Sequence, residues 1–265
     1  MGRIEKAFLD LAKLNKKALI GYIVSGDPDI SSTLKAMHLM VKEGVHVIEL
    51  GIAFSDPMAE GPSIQRGHER ALSKKISLKA TLKLVNSFRE KDKKTPIVLM
   101  GYMNTFEALG NEFFSSAAKD NGVDGVLIVD MPLEASDEFT KESRKNDLDV
   151  IRLIAPTTSE SRIKKICNQA SGYVYYISLK GITGADSINP KEVEKKVLEL
   201  KKLTDLPVVI GFGIKDGKSA STVKDLADGV VVGSALVDIM GGNKEEIEKY
   251  LSIKIKDLSK ALLKT

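Results

Sequence analysis

Along its whole length the chain alternates short, apolar, β-branched runs with longer stretches of helical periodicity, and few folds accommodate that alternation repeated eight times. The runs are Ala18–Ile23, Val47–Leu50, Ile97–Gly101, Val126–Val129, Val150–Leu153, Val174–Ile177, Val208–Gly211 and Val230–Val232. Between them lie amphipathic segments such as Ser31–Glu43, Phe113–Asn121, Ser136–Asn146, Ser159–Gln169, Pro190–Leu203 and Ser219–Leu226. Nearly unbroken apolar runs suit strands buried on both faces, as in a parallel sheet covered by crossover helices. Eight such units in 265 residues predict an α/β chain folded as a single (β/α)8 TIM barrel, with residues 1–265 forming one domain. The stretch Arg3–Leu14 places Ile4, Ala7, Phe8, Leu11 and Leu14 on one face, which predicts an extra N-terminal helix across the barrel bottom.

Three segments repeat one another: Glu43-Gly-Val-His-Val-Ile-Glu49, Asn121-Gly-Val-Asp-Gly-Val-Leu-Ile-Val-Asp130 and Leu226-Ala-Asp-Gly-Val-Val-Val-Gly233. In the first two a glycine suits the end of the preceding helix. In all three a buried strand then delivers a polar residue or a glycine at its carboxyl end, where barrels place their chemistry. Composition narrows the function further. With 40 basic and 36 acidic side chains the net charge is only +4 and the basic residues are scattered among acids, so neither a nucleic acid nor a membrane surface is expected as partner. The mean hydropathy of −0.08 and the lack of a long apolar run predict no bilayer span. One cysteine, Cys167, excludes an intramolecular disulfide and, with no signal-like N-terminus, fits a cytoplasmic protein. Three histidines, His38, His46 and His68, leave too few ligands for a multi-histidine metal site, so no metal is expected.

Within the strand Val47-Ile-Glu-Leu50, Glu49 is a carboxylate among apolar neighbours; burial should raise its pKa toward the range a proton shuttle needs, the alternative being a structural ion pair. The loop that follows, Gly51 to Pro62, is long for a βα connection and adds Asp56 and Glu60, readable as site carboxylates or as solvated turn charges. A second long loop, Ser178 to Pro190, carries Gly181 and Gly184 and reads as a closing loop or as an ordinary surface turn. Gly184, Gly211-Phe-Gly-Ile214 and Gly233-Ser-Ala235 together predict backbone N–H groups gathered to hold the phosphate of a small phosphorylated substrate. Lys180 is a Schiff-base candidate or a solvated loop lysine, and Tyr175 a phenolic donor or a core residue. His68, in the helix-like stretch Ser63–Lys75 beside Arg66 and Arg70, reads as a surface residue, and Asp130 as a rim residue or a catalytic one.

These residues match a known pattern. On Ile48-Glu-Leu-Gly-Ile-Ala-Phe-Ser-Asp-Pro57 with Gly61-Pro62 and Ile64-Gln65, the chain resembles the tryptophan synthase alpha subunit family over essentially its full length. Supporting matches are Gly26-Asp-Pro28, Gly122-Val-Asp-Gly-Val126 with Asp130 and Pro132, Gly181-Ile-Thr-Gly184, Gly211-Phe-Gly-Ile214 and Gly233-Ser234. The resemblance implies a carbon–carbon lyase of tryptophan biosynthesis that cleaves indole-3-glycerol phosphate to indole and glyceraldehyde 3-phosphate. It implies Glu49 as principal acid/base, Glu60 as second carboxylate meeting Thr183, and Tyr175 beside the substrate. Phosphate would be held at Gly184, Gly213, Gly233 and Ser234, with Tyr22, Met100, Leu127 and Val129 supplying an apolar slot for the ring. Ser55-Asp56-Pro57 would face a beta subunit in an alpha2beta2 heterotetramer; pyridoxal phosphate belongs to that partner and this chain carries no cofactor. The family pattern has Pro where Ala53 stands and Asp where Glu60 stands. By side-chain length alone, the extra methylene of Glu60 predicts a misplaced carboxylate and a turnover that Glu60→Asp would raise. Two other functions fit the sequence: a Schiff-base aldolase using Lys180, and a barrel acting mainly as the regulatory subunit of a beta partner.

Overall fold

The structure is a computed structural model and describes residues 1–177, 190–211 and 213–263. Eight parallel strands close into a barrel: β1 (Ala18–Val24), β2 (Val47–Gly51), β3 (Ile97–Gly101), β4 (Gly125–Ile128), β5 (Asp149–Ile154), β6 (Val174–Ile177), β7 (Val208–Gly211) and β8 (Gly229–Val232). Closure comes from β1, which pairs with β2 on one side and with β8 on the other. The strands fall within one or two residues of the expected runs. The fourth begins a residue earlier because Gly125 pairs with Val98 of β3. Gly44 and Gly122 take the left-handed conformation, φ 115° and 86°, that their places in the repeat predict.

The strand period of two sorts the side chains. Leu19, Ile48, Leu99, Val126, Val174, Ile210 and Val232 face outward into the layer beneath the helices. Ile20, Val47, Val98, Leu127, Ile151, Tyr173, Val209 and Val231 face inward and fill the barrel. The N-terminal helix α1 (Arg3–Lys13) presses Ile4, Phe8 and Leu11 into the lower end of that inner cluster, with Phe8 against the Tyr173 ring at 5.7 Å between centroids. Its first turn is tied down by charge. Buried Asp124, just ahead of β4, accepts from Arg3 at 2.8 Å and from Arg89 at 2.7 Å, and its carboxylate also takes the Ile97 backbone N–H at 2.8 Å. Arg89 ends helix α4 (Leu78–Arg89), so one carboxylate joins α1, α4 and β3.

Leaving two guanidinium groups without that carboxylate should cost about 3 kcal/mol, the range for breaking a buried ion pair from one side. Asp124→Asn is therefore expected to lower the unfolding free energy in a denaturant titration by that amount while the assembled upper end of the barrel keeps its activity per folded molecule. A loss under about 1 kcal/mol would place the pair among exposed bridges instead.

Candidate active site

Glu49 sits in β2 with its side chain inside the barrel and no solvent exposure. Its Oε1 accepts the Tyr173 hydroxyl at 2.5 Å, while Oε2 is buried with no hydrogen-bond partner. Burial pushes its pKa up to about 7; the Tyr173 hydrogen bond opposes that rise and the charge of Glu60 adds to it. Among the described residues no Lys or Arg forms the alternative ion pair, and a phenol stands in its place. Sequence reasoning misses Tyr173, although it lies two residues before Tyr175 and so shares its inward face.

The loop after β2 is fastened at several points. Ile52 N–H donates to the Met100 carbonyl at 2.8 Å, and Phe54 N–H to Nδ1 of His68 at 3.0 Å. Ala59 N–H donates to the Tyr102 hydroxyl at 3.1 Å, and the Phe54 and Tyr102 rings stack at 5.0 Å. Gln65 Nε2 donates to the Glu60 carbonyl at 2.8 Å. These ties bring Glu60 to the barrel mouth, where it is 9% exposed and burial pushes its pKa up to about 7. Ser55 and Pro57 lie half-buried or exposed along the crest with Asp56 exposed between them, and Met58 projects beyond them at 77% exposure.

His68 corrects the sequence reading, for it is buried rather than superficial. Helix α3 (Pro62–Ser73) packs the face carrying Gly67, His68 and Ala71 onto the barrel mouth, and its polar composition hides that inner face from a hydropathy pattern. Nε2 of His68 lies 3.3 Å from the Tyr22 hydroxyl. Burial holds the imidazole pKa down at about 4, so the ring is neutral.

Tyr22 from β1 and Tyr175 from β6 complete the mouth, both buried. Each lays its phenol oxygen over a strand-end glycine, Tyr22 over Gly51 and Tyr175 over Gly211, so close that a β-carbon there would collide with the hydroxyl. Met100 and Val129 are half-buried against the inner cluster and Leu127 lies fully within it. After β7, Gly213 turns the chain at φ 76°, and after β8, Gly233 precedes helix α11 (Ser234–Met240), which begins at Ser234. A β-carbon at Gly233 would lie 3.5 Å from the Tyr22 ring, so that ring spans from the carboxylates to the helix start. Asp130 accepts Met103 N–H at 2.7 Å, which makes it a cap on helix α5 (Met103–Glu107). Lys180, Thr183 and Gly184 lie outside the described residues. A concavity of about 1210 Å³ opens at the other end of the barrel, beside Phe8, Asp149, Ser171 and Asp228, away from the strand ends that carry chemistry in barrels. Among the described residues no group of His, Cys, Asp and Glu could hold a metal, and no helix is long and apolar enough to cross a membrane.

The whole arrangement can be compared with known proteins. The sequence model of the tryptophan synthase alpha chain matches residues 8–262. The tryptophan synthase alpha chain of Burkholderia thailandensis is 49% identical over 240 residues, covering 91% of this chain and 89% of that one. That of Thioalkalivibrio sulfidiphilus is 48% identical over 248 residues, 94% and 93% of the two chains. Among solved structures, the tryptophan synthase subunit alpha of Legionella pneumophila superposes with a TM-score of 0.92 at 39% identity, over 99% of this chain and 98% of that one. A chain of the tryptophan synthase a2b2 complex of Pyrococcus furiosus gives 0.85 at 40% identity, over 92% and 98%. With this coverage from both sequence and fold, the chain belongs to the tryptophan synthase alpha chain family.

Proposed function

We propose that this chain is a carbon–carbon lyase that cleaves indole-3-glycerol phosphate into indole and glyceraldehyde 3-phosphate in tryptophan biosynthesis, with Glu49 as its acid/base. Family membership supports the reaction, and one observation carries the residue assignment: a fully buried carboxyl whose Oε1 is held by Tyr173 and whose Oε2 is left unpartnered inside the barrel mouth. The carbon–carbon bond breaks once C3 of the indole ring has gained a proton and the neighbouring side-chain hydroxyl has lost one. A carboxyl poised near pH 7 performs both in turn. Protonated Oε2 gives its proton to C3; the carboxylate then takes the hydroxyl proton as the bond electrons return to the ring, which regenerates the acid. Glu60 holds the indole N–H, and Tyr175, Tyr22, Met100 and Leu127 enclose the ring. The phosphate lies at Gly213, Gly233 and Ser234, where the first N–H groups of α11 have no acceptor within their own helix; Thr183 and Gly184 belong to the same reading.

A beta subunit is the partner, in an alpha2beta2 assembly of the kind named for the Pyrococcus furiosus relative. The Ser55-Asp56-Pro57 crest with its projecting Met58 supports this, because a large apolar side chain held in water beside the site suits a docking face. Pyridoxal phosphate resides in that partner, this chain holds no cofactor or metal, and the assembly is cytoplasmic. Family membership favours this lyase reading over the Schiff-base aldolase and over a purely regulatory barrel.

Glu49→Gln keeps the shape and removes the proton, so indole release should fall at least about 100-fold; more than about a tenth of parental turnover would exclude Glu49 as the acid/base. The same variant should gain stability at pH 8. Glu49 and Glu60 have folded pKa values raised from 4.5 to about 7, so between those limits the unfolded chain binds fewer protons than the folded one. Stability therefore falls as pH rises toward about 7 and stays at its lower level above, and the Glu49→Gln substitution abolishes part of that fall. Denaturant unfolding at pH 4 and pH 8 measures it: nearly equal stabilities at pH 4, below the unfolded pKa, and a more stable variant at pH 8 are expected. Saturating beta subunit should accelerate the isolated chain by about tenfold or more, since a partner seated on the crest bears directly on the loop that carries Glu60; equal rates with demonstrably bound partner would count against the interface.

A further inference from the structure

We infer that the cleft between helix α7 (Asp137–Lys145) and the end of helix α8 (Glu160–Gln169), on the outside of the barrel against Arg152 of β5, is a binding site for a phosphoryl group. Arg152 stands between Val150 and Ile154 and, like them, turns outward into the apolar layer beneath the helices. It is 6% exposed, and a cation buried to that degree needs a counter-charge. No carboxylate supplies one. Nη2 donates to Oγ1 of Thr140 at 2.9 Å, the one hydrogen bond that the five guanidinium N–H groups make among the described residues, and Nε is enclosed without a partner. A second polar group is idle on the same face of α7, where Ser143, three residues after Thr140, has a buried and unpartnered hydroxyl. Thr140 connects this pair to solvent, because it also lines a cleft of about 440 Å³ with Asp137, Lys141, Arg144, Lys145 and Gln169. The cleft is basic. Asp137 is its one carboxylate, held by Gln169 Nε2 at 3.1 Å, and Lys145 is paired with Glu142 at 2.7 Å. Arg144 donates only to the Gln169 carbonyl, at 3.3 Å, so Lys141, Arg144 and Arg152 are without an ion pair among the described residues. Burial and the charge of Arg144 both lower the Arg152 pKa, and an anion in the cleft would act the other way. Guanidinium, hydroxyl and ammonium donors around an unbalanced positive charge suit a doubly charged oxyanion.

Thermal unfolding of the full chain tests the site, at neutral pH, in sodium phosphate against sodium chloride of equal ionic strength. The variants are Arg152→Met, Lys141→Ala and Asp137→Asn. Methionine replaces an unpaired buried cation with an apolar side chain of similar length, so Arg152→Met should fold. Phosphate at about 20 mM should raise the melting temperature of the parent by about 2 °C or more beyond its effect on Arg152→Met. Salting-out and the phosphate contacts proposed at Gly213, Gly233 and Ser234 are common to both chains and cancel in that difference. Lys141→Ala, a change at an exposed residue, should lose about half of the extra shift or more, and Asp137→Asn should enlarge it by removing a charge that repels the anion. Glycerol 3-phosphate in place of inorganic phosphate separates the two sources of the group: an extra shift with either supports the site, and the larger shift names its occupant. Equal shifts in the parent and in Arg152→Met with both compounds would overturn it. So would an Asp137→Asn chain that melts lower in chloride and gains no more from phosphate than the parent, for Asp137 would then be the counter-ion of Arg152. If Arg152→Met fails to fold, Lys141→Ala decides, and an undiminished shift there overturns the site. Cleavage of indole-3-glycerol phosphate should be unchanged in Lys141→Ala, since the cleft lies outside the barrel, and a chain without that activity would still show the shifts.

Discussion

Burying a carboxyl at the centre of a barrel is the constraint around which the rest of the upper end is arranged. With no cation among the described residues to neutralise it, Glu49 relieves the cost of desolvation by taking a proton at higher pH and by accepting one phenolic hydrogen bond, from Tyr173. A lysine or arginine in that place would stabilise the ionised form and lower the pKa, which would leave a poor acid. A phenol supplies one donor and no charge, so the carboxyl remains near the midpoint of its titration at neutral pH. The lower half of the barrel is correspondingly apolar, with Phe8 of α1 packed against the Tyr173 ring. The helix that plugs the bottom thus supports the residue that donates to Glu49.

The mouth is shaped by phenols laid over glycines. Tyr22 over Gly51 and Tyr175 over Gly211 bring bulky rings to the strand ends, and only the missing β-carbons let the hydroxyls descend to the backbone. The Tyr22 ring also borders Gly233, so a single side chain adjoins the carboxylates on one side and the start of α11 on the other. The proposed substrate, with an aromatic ring at one end and a phosphate at the other, suits a site whose two ends share one buried wall.

Helix α3 connects these parts. Its His68 contacts the β2 loop and Tyr22, and its Arg70 clamps buried Asp27, after β1, through two bonds of 2.6 and 2.7 Å while also donating to the Val237 carbonyl of α11. Ser63 and Arg66 reach Asp238 on the same helix. One helix therefore bears on the first loop, on the loop of Glu60 and on the helix proposed to meet phosphate, so displacement of any of them is felt by the others.

The eightfold alternation in the sequence determined the barrel, because a doubly buried parallel strand leaves the same apolar signature wherever it sits. The repeat ending in Glu49 likewise marked a carboxyl whose burial should raise its pKa, and the structure places it without exposure and with its pKa pushed up to about 7. The extra N-terminal helix was legible from its one apolar face. What sequence could not determine were the partners of these groups. Tyr173 meets Glu49 across 124 positions, and His68 reaches Tyr22 across 46. His68 lies on a helix face too polar to announce itself as buried, and for that reason it reads as surface. Periodicity tells which face of an element turns inward, but the side chain it meets there depends on barrel closure and strand register, which bring together residues distant along the chain, and only the tertiary structure decides those.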